Sequence, residues 1–240
     1  MSKKANSGPV LAAYDVRKDF KTPGGALPVL KGVHFSLEPA QMSFIIGRSG
    51  SGKSTLLHLL GCLDTVSSGK ILFEGEDVSL MNEGRRTKTR NLRVGFVFQF
   101  YHLLPELTLY ENVVLPSLIA GKRNDAWVNE LLKRVGLLGR ERHYPAELSG
   151  GEQQRAAIAR SLVNRPSVVF CDEPTGNLDE ETAESVFSLL CELNRQEGIS
   201  FVVVTHDEAL AWRGEYVFRL VDGILLREER GRSIGIENIH

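Results

Sequence analysis

Residues 47–54 read GRSGSGKS, and this octet constrains the fold more than any other segment of the chain. It matches GxxxxGK[ST], a pattern whose glycines let successive backbone N–H groups turn inward around phosphate oxygens. A glycine-rich turn can carry these letters by accident. Here an apolar stretch at 43–46 precedes the octet, and residues 53–63 follow as a predicted helix. Leu56, Leu57, Leu59, Leu60 and Leu63 give that helix a broad apolar face. Strand, glycine loop and helix in this order are the setting in which the pattern binds phosphate, reinforced by the positive end of the helix. Gly47, Arg48, Ser49, Gly50, Ser51, Gly52, Lys53, Ser54 and Thr55 are therefore the predicted nucleotide cradle. Within it, Lys53 is expected to reach the β- and γ-phosphates and the Ser54 hydroxyl to ligate Mg2+.

Two later segments belong with the cradle. Residues 168–173 read VVFCDE, an apolar strand ending in two acids. Asp172 at the strand tip is expected to hold Mg2+ through its water shell. Glu173 is expected to face the γ-phosphate as general base toward the attacking water. Alone, two acids at a strand end are as readily solvated; the upstream cradle favours the catalytic reading. Residues 148–155 read LSGGEQQR, a loop leading into a helix predicted over 152–163, with Ser149, Gly150 and Gly151 at its start. Such an end offers N–H donors and a positive dipole to an anion. One nucleotide already has a complete cradle at 47–54, so the second element raises the question of whose phosphate it serves.

Further apolar strands are predicted at 94–98, 167–171 and 200–205. A helix capped by Asp179, with Glu180 and Glu181 in its first turn, is predicted to end near Gly198. Residues 22–26 read as a turn between two strands. Residues 100–160 read as mostly helical, punctuated by Pro105, Pro116, Gly121, Gly136 and Pro145. This pattern implies an α/β layer fold with an inserted helical lobe. The chain has 29 Lys plus Arg against 30 Asp plus Glu, so it lacks the basic excess of a nucleic-acid binder. The densest basic run, Arg85, Arg86, Lys88, Arg90 and Arg93, has no interleaved aromatics for base stacking and reads as a solvated helix face. Cys62, Cys171 and Cys191 are scattered, without metal-ligand spacing, as suits a reducing compartment. No apolar run approaches the ~20 residues of a membrane span. A polar start at 1–8 lacks the apolar core of a signal peptide, so the expected location is cytoplasmic, with any membrane role exerted through a partner.

The octet and LSGGEQQR together make residues 10–230 resemble an ABC transporter nucleotide-binding domain. The resemblance implies a P-loop (RecA-like) core with an N-terminal antiparallel β-subdomain and an inserted α-helical subdomain. It divides the single domain into a core at about 10–99 and 161–230, a helical lobe at about 100–160, and an unread tail at 231–240. It implies ATP and Mg2+ as cofactors and a head-to-tail homodimer, in which Leu148, Ser149, Gly150, Gly151, Glu152 and Gln153 contact the γ-phosphate held by the other subunit. Gln99 resembles the glutamine that senses Mg2+ and the attacking water, and His206 the switch histidine. Asn177, Leu178 and Asp179 resemble the loop that crosses the dimer interface. Phe20 aligns with the aromatic residue that stacks on adenine, with Tyr14 as its rival. The other five histidines, His34, His58, His102, His143 and His240, read as ordinary.

Residues 56–64 (LLHLLGCLD), 99–105 (QFYHLLP) and 172–179 (DEPTGNLD) narrow the resemblance to the group of lipoprotein-releasing and macrolide-exporting ATPases. In that group ATP hydrolysis drives a transmembrane permease, of one or two kinds, from the cytoplasmic face of the inner membrane. Lipoprotein release is the leading expectation, with efflux and cell-division ATPases as alternatives and a soluble nucleic-acid-associated ATPase further off. Phe100, Tyr101, Leu103 and Leu104 are expected either near the groove for the permease's coupling helix or in the core of the helical lobe. The chain departs from the group's pattern at residues 39–41, where PAQ stands in place of a Gly-Glu step, and at Cys171, where alanine is usual.

Overall fold

The structure, a computed structural model, describes residues 8–229 and 232–233. Two long strands, β1 (Leu11–Thr22) and β2 (Gly25–Leu37), open the chain as a hairpin turned at 23–24. β3 (Met42–Ile46) runs into the glycine-rich octet, and α1 (Lys53–Leu60) follows. β4 (Ser68–Phe73), β5 (Glu76–Asp77) and α2 (Glu83–Arg93) lead to β6 (Val94–Phe98). Three helices come next: α3 (Leu109–Ile119), α4 (Asp125–Arg134) and α5 (Gly150–Leu162). The chain continues through β7 (Val168–Asp172), α6 (Glu180–Glu197), β8 (Ser200–Thr205), α7 (Glu208–Ala211), β9 (Tyr216–Val221), β10 (Ile224–Glu229) and β11 (Arg232–Ser233).

Among the described residues the strands form two sheets. One is antiparallel, in the order β2-β1-β4-β5; the other runs β11-β10-β9-β3-β8-β7-β6, with β9, β3, β8, β7 and β6 parallel. Of the parallel strands, β3, β6, β7 and β8 are largely apolar because both their faces are covered. Their two-residue period divides them between two cores. Phe44, Ile46, Val97, Val169, Cys171, Phe201 and Val203 face α3, α4, α5 and α6. Ile45, Phe170, Val202 and Val204 face α1 and the β1–β2 hairpin. Gly95 lets α5 lie close on β6, since a Cβ there would stand 2.6 Å from the Ser161 carbonyl oxygen.

Element ends depart from expectation for local reasons. The helix predicted over 53–63 stops at Leu60, where Gly61 and a left-handed Cys62 (φ 62°) turn the chain. Leu56, Leu57, Leu59 and Leu60 are buried as expected, but Leu63 is 40% exposed. The helix predicted from Glu152 begins at Gly150, because Ser149 caps it through the Glu152 N–H. The strand predicted at 167–171 lies one residue later. Asp179 caps α6, and Gly198, left-handed at φ 64°, ends it. α7, β9 and β10 were not anticipated. α2 carries the basic run, and Arg85, Arg86 and Arg93 pair with Glu76, Glu83 and Glu74. Much of that charge is therefore neutralised within the fold. No described helix is long and apolar enough to cross a membrane.

Candidate nucleotide site

The parallel strands all end at one edge of the sheet, and the predicted residues follow directly from those ends. Ile46 pairs with Thr205, Asp172 with Val204 and Phe98 with Asp172. Gly47, Gln99, Glu173 and His206 are each the next residue along their strands, at the edge where open α/β sheets bind ligands.

Gly50 and Gly52 hold the loop in left-handed conformations at φ 78° and 101°. Gly47 is sterically required, since a Cβ there would lie 2.5 Å from the Leu220 carbonyl oxygen and 2.9 Å from Ser51 Oγ. Lys53 Nζ donates back to the carbonyls of Gly47 (2.8 Å) and Arg48 (3.2 Å), arching over its own loop. Among the described residues Ser51 Oγ is buried without a partner. Buried hydroxyls are rarely left so, and an unpaired one lining a glycine cradle fits a site shaped for oxyanions.

Ser54 Oγ donates to Asp172 Oδ1 at 3.3 Å, which brings together two of the three predicted Mg2+ ligands, the third being Gln99. Burial pushes the Asp172 carboxyl above the ordinary range, partly countered by Ser54, His58 and Lys53. A buried carboxylate pushed this way gains from a nearby cation. The donor set of hydroxyl, carboxylate and carboxamide oxygens suits a hard cation such as Mg2+, which binds through few protein ligands. Among the described residues no three His, Cys, Asp or Glu side chains cluster as a metal site of their own.

Glu173 adopts φ 48°, a left-handed bend for a residue with a side chain. Its N–H donates to the Val204 carbonyl at 2.9 Å. The bend turns the carboxylate back across the sheet edge. There Oε2 accepts from the His206 N–H (3.2 Å) and lies 3.0 Å from His206 Nδ1. Glu173 is largely covered while the His206 side chain is 69% exposed, so the pair faces outward from the sheet edge. Gln99 Nε2 donates to Asn177 Oδ1 at 2.9 Å.

The signature segment sits apart from the cradle. Among the described residues no hydrogen bond joins 148–153 to 47–55. Ser149 and Glu152 form a capping box: the Glu152 carboxylate accepts from Ser149 N (2.8 Å) and Oγ (2.9 Å). These bonds hold the Glu152 carboxyl below the usual range. Gly150 is packed against the Tyr101 hydroxyl and Leu178, so Gln99's neighbours, the signature and the segment 177–179 form one surface. Phe20, 40% exposed on β1, has the Lys18 ammonium 5.1 Å from its ring centroid. Lys18 is anchored by Asp64 (2.7 Å) and the Thr65 carbonyl (2.7 Å). Tyr14 is similarly half-exposed, beneath Lys70. Phe100 and Leu104 are exposed, whereas Leu103 packs on the core.

Three supporting residues were missed in the sequence. Gln154, fully buried, donates to the Pro174 carbonyl at 2.6 Å, tying α5 to the residue after Glu173. Arg160, also on α5, donates to the Tyr101 carbonyl at 2.7 Å and to that of His102. It thereby holds two successive left-handed residues beyond Gln99. Lys18 is the third. No spacing rule marks them in the sequence, since Gln154 and Arg160, six residues apart, project from different faces of one helix.

A glycine cradle, an acid at the strand tip beside the cradle serine, and a glutamate–histidine pair at the same sheet edge define a P-loop nucleotide-binding cassette. The family model described as "ABC transporter" matches residues 30–176. The lipoprotein-releasing system ATP-binding protein LolD of Idiomarina loihiensis is 47% identical over 223 residues, spanning 92% of this chain and 98% of that protein. The ATP-binding cassette MJ0796, solved as a dimer in a post-hydrolysis state bound to ADP and Pi, superposes with a TM-score of 0.84. It shares 38% identity over 93% of this chain and 100% of its own. A second dimeric structure of that bacterial ABC transporter cassette also gives 0.84, at 39% identity. The chain belongs to the ABC transporter family.

Proposed function

We propose that this chain is the ATP-hydrolysing subunit of an ABC membrane complex that drives release of lipoproteins from the inner membrane by mechanotransmission. The observation that carries the hydrolytic reading is the convergence of Lys53, the Ser54–Asp172 pair and the Glu173–His206 pair at one sheet edge. The cargo reading rests on the likeness to the lipoprotein-releasing relative.

The backbone of 47–55 binds the phosphates, with Lys53 giving its ammonium to the β- and γ-oxygens. Phe20 stacks on adenine, its ring steadied by Lys18. Ser54, Asp172 and Gln99 would hold Mg2+, and the ion would supply positive charge against that building on the phosphates. Glu173 orients the attacking water and takes its proton, while His206 holds the carboxylate and senses the γ-phosphate. The signature of one chain closes over the ATP of a second copy, with Asn177, Leu178 and Asp179 crossing between them. Exposed Phe100 and Leu104 take part in the groove for a transmembrane permease, which keeps the dimer at the cytoplasmic face. Residues 100–160 serve in this reading as the lobe that moves with the permease.

Glu173→Gln tests the assignment. It should retain ATP binding, lose at least ~10²–10⁴ in hydrolysis as expected for a general base, and accumulate ATP-bound dimers. Hydrolysis at the parental rate in a phosphate-release assay would remove Glu173 from that role.

A further inference from the structure

Gln99 and Asn177 exchange two hydrogen bonds between the end of β6 and the loop that follows Glu173. Asn177 Nδ2 donates to the Gln99 backbone carbonyl at 3.1 Å, and Gln99 Nε2 donates to Asn177 Oδ1 at 2.9 Å. The polarity of this exchange is forced. A backbone carbonyl only accepts, so Asn177 must turn its NH2 group to it, leaving Oδ1 for Gln99. That oxygen also only accepts, so Gln99 must give up Nε2. Gln99 Oε1 is then the end of the carboxamide that stays uncommitted among the described residues. Gly176 guards the same amide, since a Cβ there would lie 2.9 Å from Gln99 Nε2 and 3.3 Å from its Cδ.

We infer that Asn177 is a positioning residue, which acts within its own chain to fix the Gln99 carboxamide with its oxygen available to Mg2+. The inference rests on the reading of Gln99 as a ligand in the ATP site. The need for it is chemical: the two ends of a carboxamide are alike in shape, but only the oxygen can ligate a cation. An isolated Gln99 amide would rotate between them. Asn177 has no charge to offer a metal and, among the described residues, no bond to the phosphate loop of its own chain, so within the chain its effect on Mg2+ passes through Gln99.

The test uses the full chain in a Glu173→Gln background, where ATP persists. Calorimetry gives ATP affinity in EDTA, and a Mg2+ titration at saturating ATP gives the metal half-saturation point. Asn177→Ala should leave metal-free ATP affinity within about twofold and raise the Mg2+ half-saturation about tenfold, the lower end for loss of a ligand-orienting partner. Gly176→Ala, which crowds the amide from the other side, should shift Mg2+ in the same direction. A Gln99→Glu chain presents an oxygen whichever way it rotates, so adding Asn177→Ala to it should change Mg2+ affinity little. An equal loss with Gln99 and with Gln99→Glu, or a matching loss of metal-free ATP affinity, would make Asn177 merely structural and overturn the inference. Parental Mg2+ binding unchanged by Asn177→Ala would overturn it too, while leaving the ATPase reading intact. Parental protein showing no ATP-dependent Mg2+ binding would instead bring down the metal-site reading, and the inference with it.

Discussion

Ala40 stands at φ 60° between β2 and β3, and its carbonyl accepts from Asn194 Nδ2 at 2.8 Å. A left-handed alanine crowds its Cβ against the following carbonyl, at about 1–2 kcal/mol. The left-handed alanine therefore carries a cost that can be measured. Ala40→Gly relieves the crowding but adds freedom to the unfolded chain, for a net gain of about 0.5–1 kcal/mol. A melting temperature higher by roughly 2 °C is expected in calorimetry; no rise would mean the turn already relaxes around the methyl. Glu152 gives a prediction in pH. Its carboxyl is held low by the Ser149 N–H and hydroxyl, with Arg140 nearby. A depressed acid stabilises the fold fully above its unfolded value, about 4.3, and loses that contribution as pH falls through its folded value. The stability gap between the parent and Glu152→Ala should therefore stay constant through neutral pH and narrow only in acid. A gap that instead widens in acid would contradict the capping role.

Among the elements, α5 connects most of the site. Its first turn is the signature, Gln154 reaches the Pro174 carbonyl and Arg160 secures the bend after Gln99. These bonds tie the first turn of α5, the residue after Glu173 and the bend after Gln99 to one helix. α3 performs a similar duty for the exposed segment ahead of it. Asn112, fully buried, accepts from Leu104 N at 2.7 Å and donates to the carbonyls of Leu104, Leu107 and Thr108 at 3.0 Å each. Asn112→Ala strands buried backbone groups and should cost about 1–3 kcal/mol. Hydrogen exchange should show faster opening confined to 103–108, adjoining the proposed permease groove. Loosening spread evenly over the chain would argue against a local strap.

At the scale of the molecule, the signature and the phosphate cradle share no hydrogen bond among the described residues of one chain, although each is held by bonds of its own. The similar cassette MJ0796, 38–39% identical, has been solved as a dimer in two structures. In mixed dimers, Ser149→Arg in one subunit should abolish turnover at the site whose cradle belongs to the other. Damage restricted to the mutant chain's own cradle, read by pairing it with Lys53→Ala subunits, would contradict a shared site.

The octet at 47–54, the acids at 172–173 and the signature stand out in the sequence because each joins particular residue types at fixed spacing to a recognisable setting of strand, loop or helix. The apolar runs also announced the parallel sheet, since burial on both faces leaves no polar alternation. What local pattern could not supply was the meeting of distant segments. Gln99 and Asn177 are 78 positions apart, and Arg160 lies 58 and 59 from the carbonyls it holds. Arg160's partners are main-chain oxygens, which every residue offers equally, and nothing in the letters marks Asn177 as the partner of Gln99. The strained φ of Glu173 and Ala40 is equally silent in the sequence, because neither residue type favours that conformation. The amino-acid order thus determined which chemical groups this protein owns and the strands that carry them. Packing of α5 against β6, and the register that aligns strand ends at one edge, decided which of those groups face one another.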